Sequence, residues 1–254
     1  MATSISSLYP AHLTPGGPAL SITLLQHCPT GILSRADAQL LLIGCRHGEN
    51  AIALSSVFAG GIIGIEEDPE AVLYGKMAAL ESGLASRVSL RYMSPVATNF
   101  LPKQFDVILL EGAFSSYPPG KILKEASRLL ANDGLLLFSD SCWLHDSIPT
   151  YVRNVWETKD HTVLTTEAIL AFFKERGFEI LHSQLRSDVL KSFYAQFHDS
   201  VRAIAKDGFQ GFKHMKTLVK HYKHEIDVYS KHGGDKHMGY LVLVSKRTAD
   251  VATD

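Results

Sequence analysis

Two short segments near the start of the chain carry residue types that suit ligand binding. Residues 40–48 read Leu-Leu-Leu-Ile-Gly-Cys-Arg-His-Gly, and residues 64–69 read Gly-Ile-Glu-Glu-Asp-Pro. A glycine turn after a strand lets the backbone approach a ligand, and an acid at the end of the next strand can accept both hydroxyls of a ribose. The spacing therefore predicts a nucleoside site in which Glu66 is the ribose acceptor.

The elements that position these residues follow a regular alternation of apolar runs and helical stretches. Strands are predicted at residues 40–43, 61–65, 88–92, 106–110 and 135–139, and helices at 19–28, 49–58, 69–82 and 120–130. Such a series forms a parallel sheet with helices on both faces, and ligands bind beyond the carboxyl ends of its strands. We expect a doubly wound, seven-stranded, mostly parallel α/β sheet.

The second half of the chain departs from this alternation. A helix is predicted at residues 166–176, a strand at 178–181 and a final strand at 240–245. The intervening residues are too numerous for a plain loop and carry two apolar stripes at helical spacing, which begin at Val189 and Phe209. We interpret residues 186–237 as a helical cap on a core of residues 1–185 and 238–247, followed by a disordered tail at 248–254.

Several further segments fit one family when they are read in order. They are Thr-Pro-Gly-Gly at residues 14–17, Phe-Asp-Val-Ile-Leu-Leu at 105–110, Asn-Asp-Gly-Leu-Leu-Leu at 132–137 and Gly-Tyr-Leu-Val-Leu-Val at 239–244. Together with the glycine turn, they resemble the class I S-adenosylmethionine-dependent methyltransferases, specifically the small-molecule branch with its Rossmann-like fold.

This resemblance implies a cofactor, a reaction and a set of cofactor-binding positions. The cofactor would be S-adenosylmethionine, with S-adenosylhomocysteine as the product, and the reaction would be methyl transfer to a small acceptor, for which an anionic molecule is one option. The matching cofactor-binding positions are Gly44, Cys45, Arg46, Gly48, Glu66, Glu67, Ser94 and Glu111.

Three positions depart from the family pattern. Leu42 and Ser94 stand where acids are usual, and Arg46 stands where a glycine is usual. A lost hydrogen bond to a charged group costs about 1.5–3 kcal/mol, so these changes bear directly on cofactor affinity. The alternative function is therefore a catalytically degenerate protein that binds a metabolite or a protein partner.

Arg46 leaves three roles open at this stage. Its guanidinium can grip a carboxylate of the cofactor or of an anionic acceptor, it can point into solvent, or it can obstruct the pocket. Glu111 has two roles open, since it can line the cleft or cap a turn.

The catalytic residues are not identified by the sequence. His145 and Asp140 follow the fifth predicted strand and are weak candidates for a proton acceptor. Methyl transfer to a soft nucleophile depends on alignment more than on proton removal, so the absence of an evident base does not exclude the reaction.

Composition excludes several classes of protein. The chain has 254 residues, 46% of them hydrophobic, a formal net charge of −1 and three dispersed cysteines, so we expect a globular cytoplasmic protein without disulfides or a metal site. No apolar run is long enough for a membrane span. Residues 202–247 contain ten Lys and Arg against four Asp and Glu, but these charges are interleaved and a nucleic-acid partner is not expected. The oligomeric state stays open.

Overall fold

The computed structural model describes residues 14–157, 163–207 and 213–248. Its seven strands are β1 (Gln39–Ile43), β2 (Gly61–Glu66), β3 (Val88–Tyr92), β4 (Phe105–Glu111), β5 (Leu130–Trp143), β6 (Phe178–Leu185) and β7 (Met238–Arg247). The helices are α1 (Gly17–Leu25), α2 (Thr30–Leu33), α3 (Glu49–Leu54), α4 (Pro69–Glu81), α5 (Pro119–Leu129), α6 (Thr150–Trp156), α7 (Thr166–Lys174), α8 (Ser187–Asp207) and α9 (Lys213–Lys231).

All seven strands form one sheet with the order β3-β2-β1-β4-β5-β7-β6. The first five strands pair in parallel, and β7 pairs antiparallel with both β5 and β6. The crossover between β3 and β4 reverses the direction in which strands are added, so the carboxyl ends of β1 and β4 lie side by side at a switch point. The predicted fold class is confirmed.

The central strand β1 is apolar throughout because both of its faces are covered. Leu40 and Leu42 project into one core layer, and Leu41 and Ile43 project into the other. All four side chains are fully buried, as is typical of a parallel sheet with helices on both faces. The glycine turn that follows β1 therefore starts from a rigid base.

The structure corrects the length of β5 and adds two short helices. The fifth strand was predicted at residues 135–139 but runs from Leu130 to Trp143. Its first residue pairs with Phe105 of β4, and its antiparallel ladder with β7 continues as far as the pair Trp143 and Met238. The helices α2 and α6 were not predicted. Both are short, with four and seven residues, and so carry little periodic signal.

The connection between β6 and β7 contains the two helices α8 and α9, where the sequence predicted a helical cap. Phe209, which begins the second predicted stripe, lies outside the described residues, as do residues 249–254 of the predicted tail. Val189, which begins the first stripe, is buried in the core layer that also holds Leu40 and Leu42.

A polar network ties α8 and α9 to α6 inside this apolar layer. The phenol of Tyr194 donates to Oε1 of Glu225 at 2.7 Å and accepts from Nε1 of Trp156 at 3.1 Å. The Tyr194 ring stacks on that of Tyr229, with the centroids 4.0 Å apart. Burial raises the pKa of Glu225, because the carboxylate is largely removed from water. The hydrogen bond from Tyr194 opposes this rise.

We expect Tyr194→Phe to lower the free energy of unfolding by about 1–3 kcal/mol, because it leaves the Glu225 carboxylate without its phenol donor. Urea unfolding of the parent and the variant measures this difference. Tyr92→Phe is the matched control, since Tyr92 is 65% exposed and should change stability by less than about 0.5 kcal/mol. Equal losses in the two variants would show that the network contributes nothing specific.

Candidate functional site

The turn after β1 packs too closely against its neighbours to hold side chains at its two glycines. Gly44 has φ +83°, and a Cβ atom there would lie 2.3 Å from the backbone oxygen of Glu111. Gly48 has φ +78°, and a Cβ atom there would lie 2.7 Å from Cδ2 of Leu90. Both glycines are therefore required by the positive φ and by the close approach of β4 and β3.

Glu66 ends β2 beside this turn, and its carboxylate is fixed by two backbone N–H groups. Oε2 accepts from the N–H of Arg46 at 3.1 Å, and Oε1 accepts from the N–H of Glu67 at 2.9 Å. Each carboxylate oxygen keeps capacity for a further donor. The acid is therefore held in one orientation with the means to accept two ligand hydroxyls.

The two neighbouring candidates lie close to Glu66. Ser94 follows Met93, whose N–H donates to the backbone oxygen of Glu66 at 3.0 Å, so the segment after β3 lies beside this acid. Burial and the nearby carboxylate of Glu67 raise the pKa of the phenol of Tyr117, so the segment between β4 and α5 lies close to Glu67. Three strand ends thus meet around Glu66.

Arg46 adopts the left-handed conformation that a glycine would favour, with φ +49°. Burial raises the pKa of the phenols of Tyr117, Tyr222 and Tyr240, and the positive charge of Arg46 counteracts this effect at each of them. These tyrosines belong to the segment after β4, to α9 and to β7. The charge of Arg46 therefore acts on groups of all three elements, and no described carboxylate lies within 4 Å of its guanidinium.

Glu111 at the end of β4 is a buried carboxylate held by neutral donors. It is 3% exposed and accepts from the hydroxyl of Ser21 and from Nδ2 of Asn50, which lies 2.9 and 2.8 Å from its two oxygens. Burial raises the pKa of Glu111, while these hydrogen bonds and the charge of Arg46 oppose the rise. Nδ2 of Asn50 also donates to the hydroxyl of Thr14 at 3.1 Å.

These groups surround a small pocket at the carboxyl end of the sheet. The pocket holds about 200 Å³ of empty space, including its open mouth, and is lined by Thr14, Cys45, Arg46, His47, Glu49, Asn50 and Glu111. The Cys45 thiol is buried, which raises its pKa and keeps it protonated.

The structure thus brings the predicted residues of the turn together with Glu66, Glu67, Ser94 and Glu111. It also adds three partners that sequence reasoning missed as site residues, namely Ser21, Asn50 and Thr14. The position of Asn50, two residues after Gly48 on the first turn of α3, was the only local signal for its role.

The two weak catalytic candidates lie apart from this pocket. Asp140 is 1% exposed, and its carboxylate accepts from the backbone N–H groups of Ser115 and Ser141 at 2.9 and 2.7 Å. Burial raises its pKa to about 6. His145 is exposed, with Nε2 3.1 Å from Nδ1 of His237. A role as proton acceptor stays a prediction for both.

The part of the chain that the structure describes has no cluster of potential metal ligands. No group of three or more His, Cys, Asp or Glu side chains is arranged there to hold one. The described helices include none that has the length and apolar character of a membrane span.

Comparisons with known proteins agree with this geometry. A family model described as a methyltransferase domain matches residues 41–138. An uncharacterized protein of Haemophilus influenzae is 26% identical over 179 residues, which cover 68% of this chain and 70% of that protein.

Two solved structures show the same fold over nearly the whole chain. A proposed sarcosine dimethylglycine methyltransferase from Galdieria sulphuraria is 18% identical, with a TM-score of 0.76 over 91% of this chain and 85% of that one. An S-adenosylmethionine-dependent methyltransferase from Geobacter sulfurreducens, solved with S-adenosylhomocysteine, is 19% identical, with a TM-score of 0.71 over 93% of this chain and 94% of that one. The chain therefore has the fold of the class I methyltransferases.

Two of the roles that stay open for Arg46 predict opposite changes in the affinity for S-adenosylhomocysteine. If the guanidinium grips a carboxylate, Arg46→Gly should weaken S-adenosylhomocysteine binding, and the loss should shrink at high salt as screening grows. If Arg46 obstructs the pocket, the same change should strengthen binding. Calorimetric titration measures the affinity at two salt concentrations.

Arg46→Lys is the matched control, because it keeps the charge and the backbone conformation but lacks the planar fork. Arg46→Gly should not destabilise the unliganded protein, since glycine fits φ +49°. Unchanged affinity in Arg46→Gly would remove this side chain from the site.

Proposed function

We propose that this chain transfers a methyl group from S-adenosylmethionine to a small acceptor molecule. The observation that carries the proposal is the carboxylate of Glu66, which the N–H of Arg46 holds at the end of β2 beside the Gly44–Gly48 turn. An acid in this place suits the two ribose hydroxyls of the cofactor. The methyltransferase domain match over residues 41–138 spans both the turn and the acid.

The residues present fit both ends of this cofactor. Glu66 suits the ribose, and Ser94 lies beside it where the adenine would follow. The pocket of Arg46, Asn50 and Glu111 lies on the other side of the turn, where the amino-acid part would follow. The backbone of the Gly44–Gly48 turn would lie between the two ends.

Once bound, the cofactor supplies a methyl group that is already activated by a sulfonium centre. What this chain contributes is position, because alignment of a nucleophile with an activated methyl group supplies most of what the reaction needs. Glu66 would fix the ribose. The phenols of Tyr240, which is buried, and Tyr222, which is half-buried, both feel the charge of Arg46, and we propose that their rings exclude water from the acceptor side of the cleft.

A small acceptor is favoured by the position of α9. Tyr222 of α9 packs against the core layer that holds Leu40 and Leu42, and the charge of Arg46 opposes the effect of burial on its pKa. We infer from these two observations that α9 narrows access to the carboxyl end of the sheet. We propose that residues 186–237 act as a cap over an acceptor site, that an anionic acceptor would meet Arg46, and that the protein acts in the cytoplasm without nucleic acid.

A second candidate function is that of a degenerate member that binds a metabolite or a partner without catalysis. Leu42 favours it, because this fully buried apolar side chain stands where the family has an acid. Ser94 favours it as well, since a hydroxyl cannot replace a carboxylate toward the adenine amino group at equal strength. Cofactor titration separates the two functions.

We expect Glu66→Ala to weaken S-adenosylhomocysteine binding by about 1.5–3 kcal/mol, because two hydroxyls lose a charged acceptor. The melting temperature without ligand should fall by only a few degrees, since two backbone hydrogen bonds are lost but Glu66 is only half-buried. Calorimetric titration measures both proteins. Glu81→Ala removes the same charge from the exposed end of α4 and should leave the affinity unchanged.

The outcome decides between the two functions. Equal affinity in the parent and in Glu66→Ala would remove this acid from the site. A parent that fails to bind S-adenosylhomocysteine at millimolar concentration would support the degenerate function instead.

The cap proposal predicts a change in amide hydrogen exchange. A cap over a cleft must open for the acceptor, so α8 and α9 should exchange faster than β1 and β4 and should slow when S-adenosylhomocysteine binds. Mass spectrometry of labelled peptides measures this. Protection equal to that of the central strands, and unchanged by ligand, would contradict a cap that opens.

A further inference from the structure

The pocket beside the Gly44–Gly48 turn contains a buried carboxyl group, that of Glu111, without a cation in contact. Glu111 accepts from Ser21 and Asn50, which are both neutral, and no described lysine, arginine or histidine lies within 4 Å of its carboxylate. A buried carboxylate is costly unless it is paired or takes part in binding. Such a group attracts a ligand that brings a positive charge.

The pocket also contains a hydrogen-bond acceptor without a donor. Asn50 is 4% exposed, and its Oδ1 has no hydrogen-bond partner among the described residues. The orientation of this amide is fixed, because Nδ2 must face the two carboxylate oxygens of Glu111. Oδ1 is therefore a second acceptor without a donor, on a residue that lines the pocket.

A cation lines the same pocket as these two acceptors. Arg46 lines the same pocket, and its guanidinium has no carboxylate partner in the part of the chain that the structure describes. A ligand that matches both ends carries an ammonium group toward Glu111 and Asn50 and a carboxylate toward Arg46. This is the charge pattern of an α-amino acid.

We infer that Glu111, with Oδ1 of Asn50, binds the α-ammonium group of the cofactor while Arg46 binds its α-carboxylate. The inference rests on the proposed use of S-adenosylmethionine, whose amino-acid part carries both groups. Ser21 is then a positioning residue that acts through Glu111.

The sheet register shows where Glu111 lies relative to Leu42, the position at which the family has an acid. Leu42 on β1 pairs with Leu109 on β4, and Glu111 is two residues beyond Leu109. Side chains two residues apart on a strand share a face, so Glu111 projects from the same face as Leu42. The carboxylate of Glu111 therefore lies on the neighbouring strand, two residues nearer to the carboxyl edge of the sheet than Leu42.

Three ligands that differ only in their amino-acid part can test the assignment. They are S-adenosylhomocysteine, decarboxylated S-adenosylhomocysteine, which keeps the amine, and 5′-methylthioadenosine, which lacks both groups. Glu111→Gln should weaken the first two ligands by about ten-fold to a hundred-fold and should leave the third unchanged. Calorimetric titration of the full chain measures each affinity.

Three further variants separate the contributions of the other groups. Arg46→Gly should weaken only the ligand that has a carboxylate, and Glu66→Ala should weaken all three by a similar factor. Asn50→Ala should act in the same direction as Glu111→Gln, and it tests the assignment independently if Glu111→Gln does not fold. Circular dichroism confirms that each variant is folded.

The outcomes distinguish this inference from the proposed function. If Glu111→Gln and Asn50→Ala bind all three ligands as the parent does, or weaken all three equally, the ammonium assignment is overturned while cofactor binding stands. If the parent binds none of the three ligands, the proposed function itself fails.

Discussion

The buried carboxylate of Glu111 is the constraint around which the carboxyl end of the sheet is organised. Moving a charged group out of water costs free energy, and this cost falls only if several hydrogen-bond donors converge on the group. Ser21 brings α1 to this point, and Asn50 brings α3. Two helices that are distant in sequence are thereby fixed against β4 at the place where the turn after β1 opens.

The backbone of the same turn shows why an arginine is tolerated at a glycine position. In the left-handed conformation, the N–H of Arg46 points at the carboxylate of Glu66, and this hydrogen bond offsets part of the strain of a non-glycine residue. The side chain lines the pocket beside the turn, and its charge opposes the effect of burial on the pKa of Tyr222 and Tyr240. The backbone of Arg46 thus donates a hydrogen bond to Glu66, while its side chain brings a positive charge to the cleft.

Much of the fold was predictable from the sequence because its signals are local. The apolar run of β1, the acid that ends β2 and the turn between them lie within one short stretch, and the structure has each where the pattern placed it. The full length of β5 was not predictable, since it depends on pairing with β7, more than 90 residues later.

The site was only partly predictable for the same reason. Glu66 follows from motif spacing, but the partners of Glu111 are 90 and 61 residues away in sequence. Neither a serine in α1 nor an asparagine in α3 carries a signal that points to β4. Their role follows only from the packing of both helices on one face of the sheet.

The strand order at the far side of the sheet has a consequence for the order of events during synthesis. Strand β7 lies between β5 and β6, although it follows both in sequence and comes after α8 and α9. A nascent chain that has emerged as far as β6 therefore has two unfilled strand edges, one on β5 and one on β6. Unpaired edges invite contacts with other chains. The sheet is complete only when residues 238–247 have left the ribosome and inserted between β5 and β6.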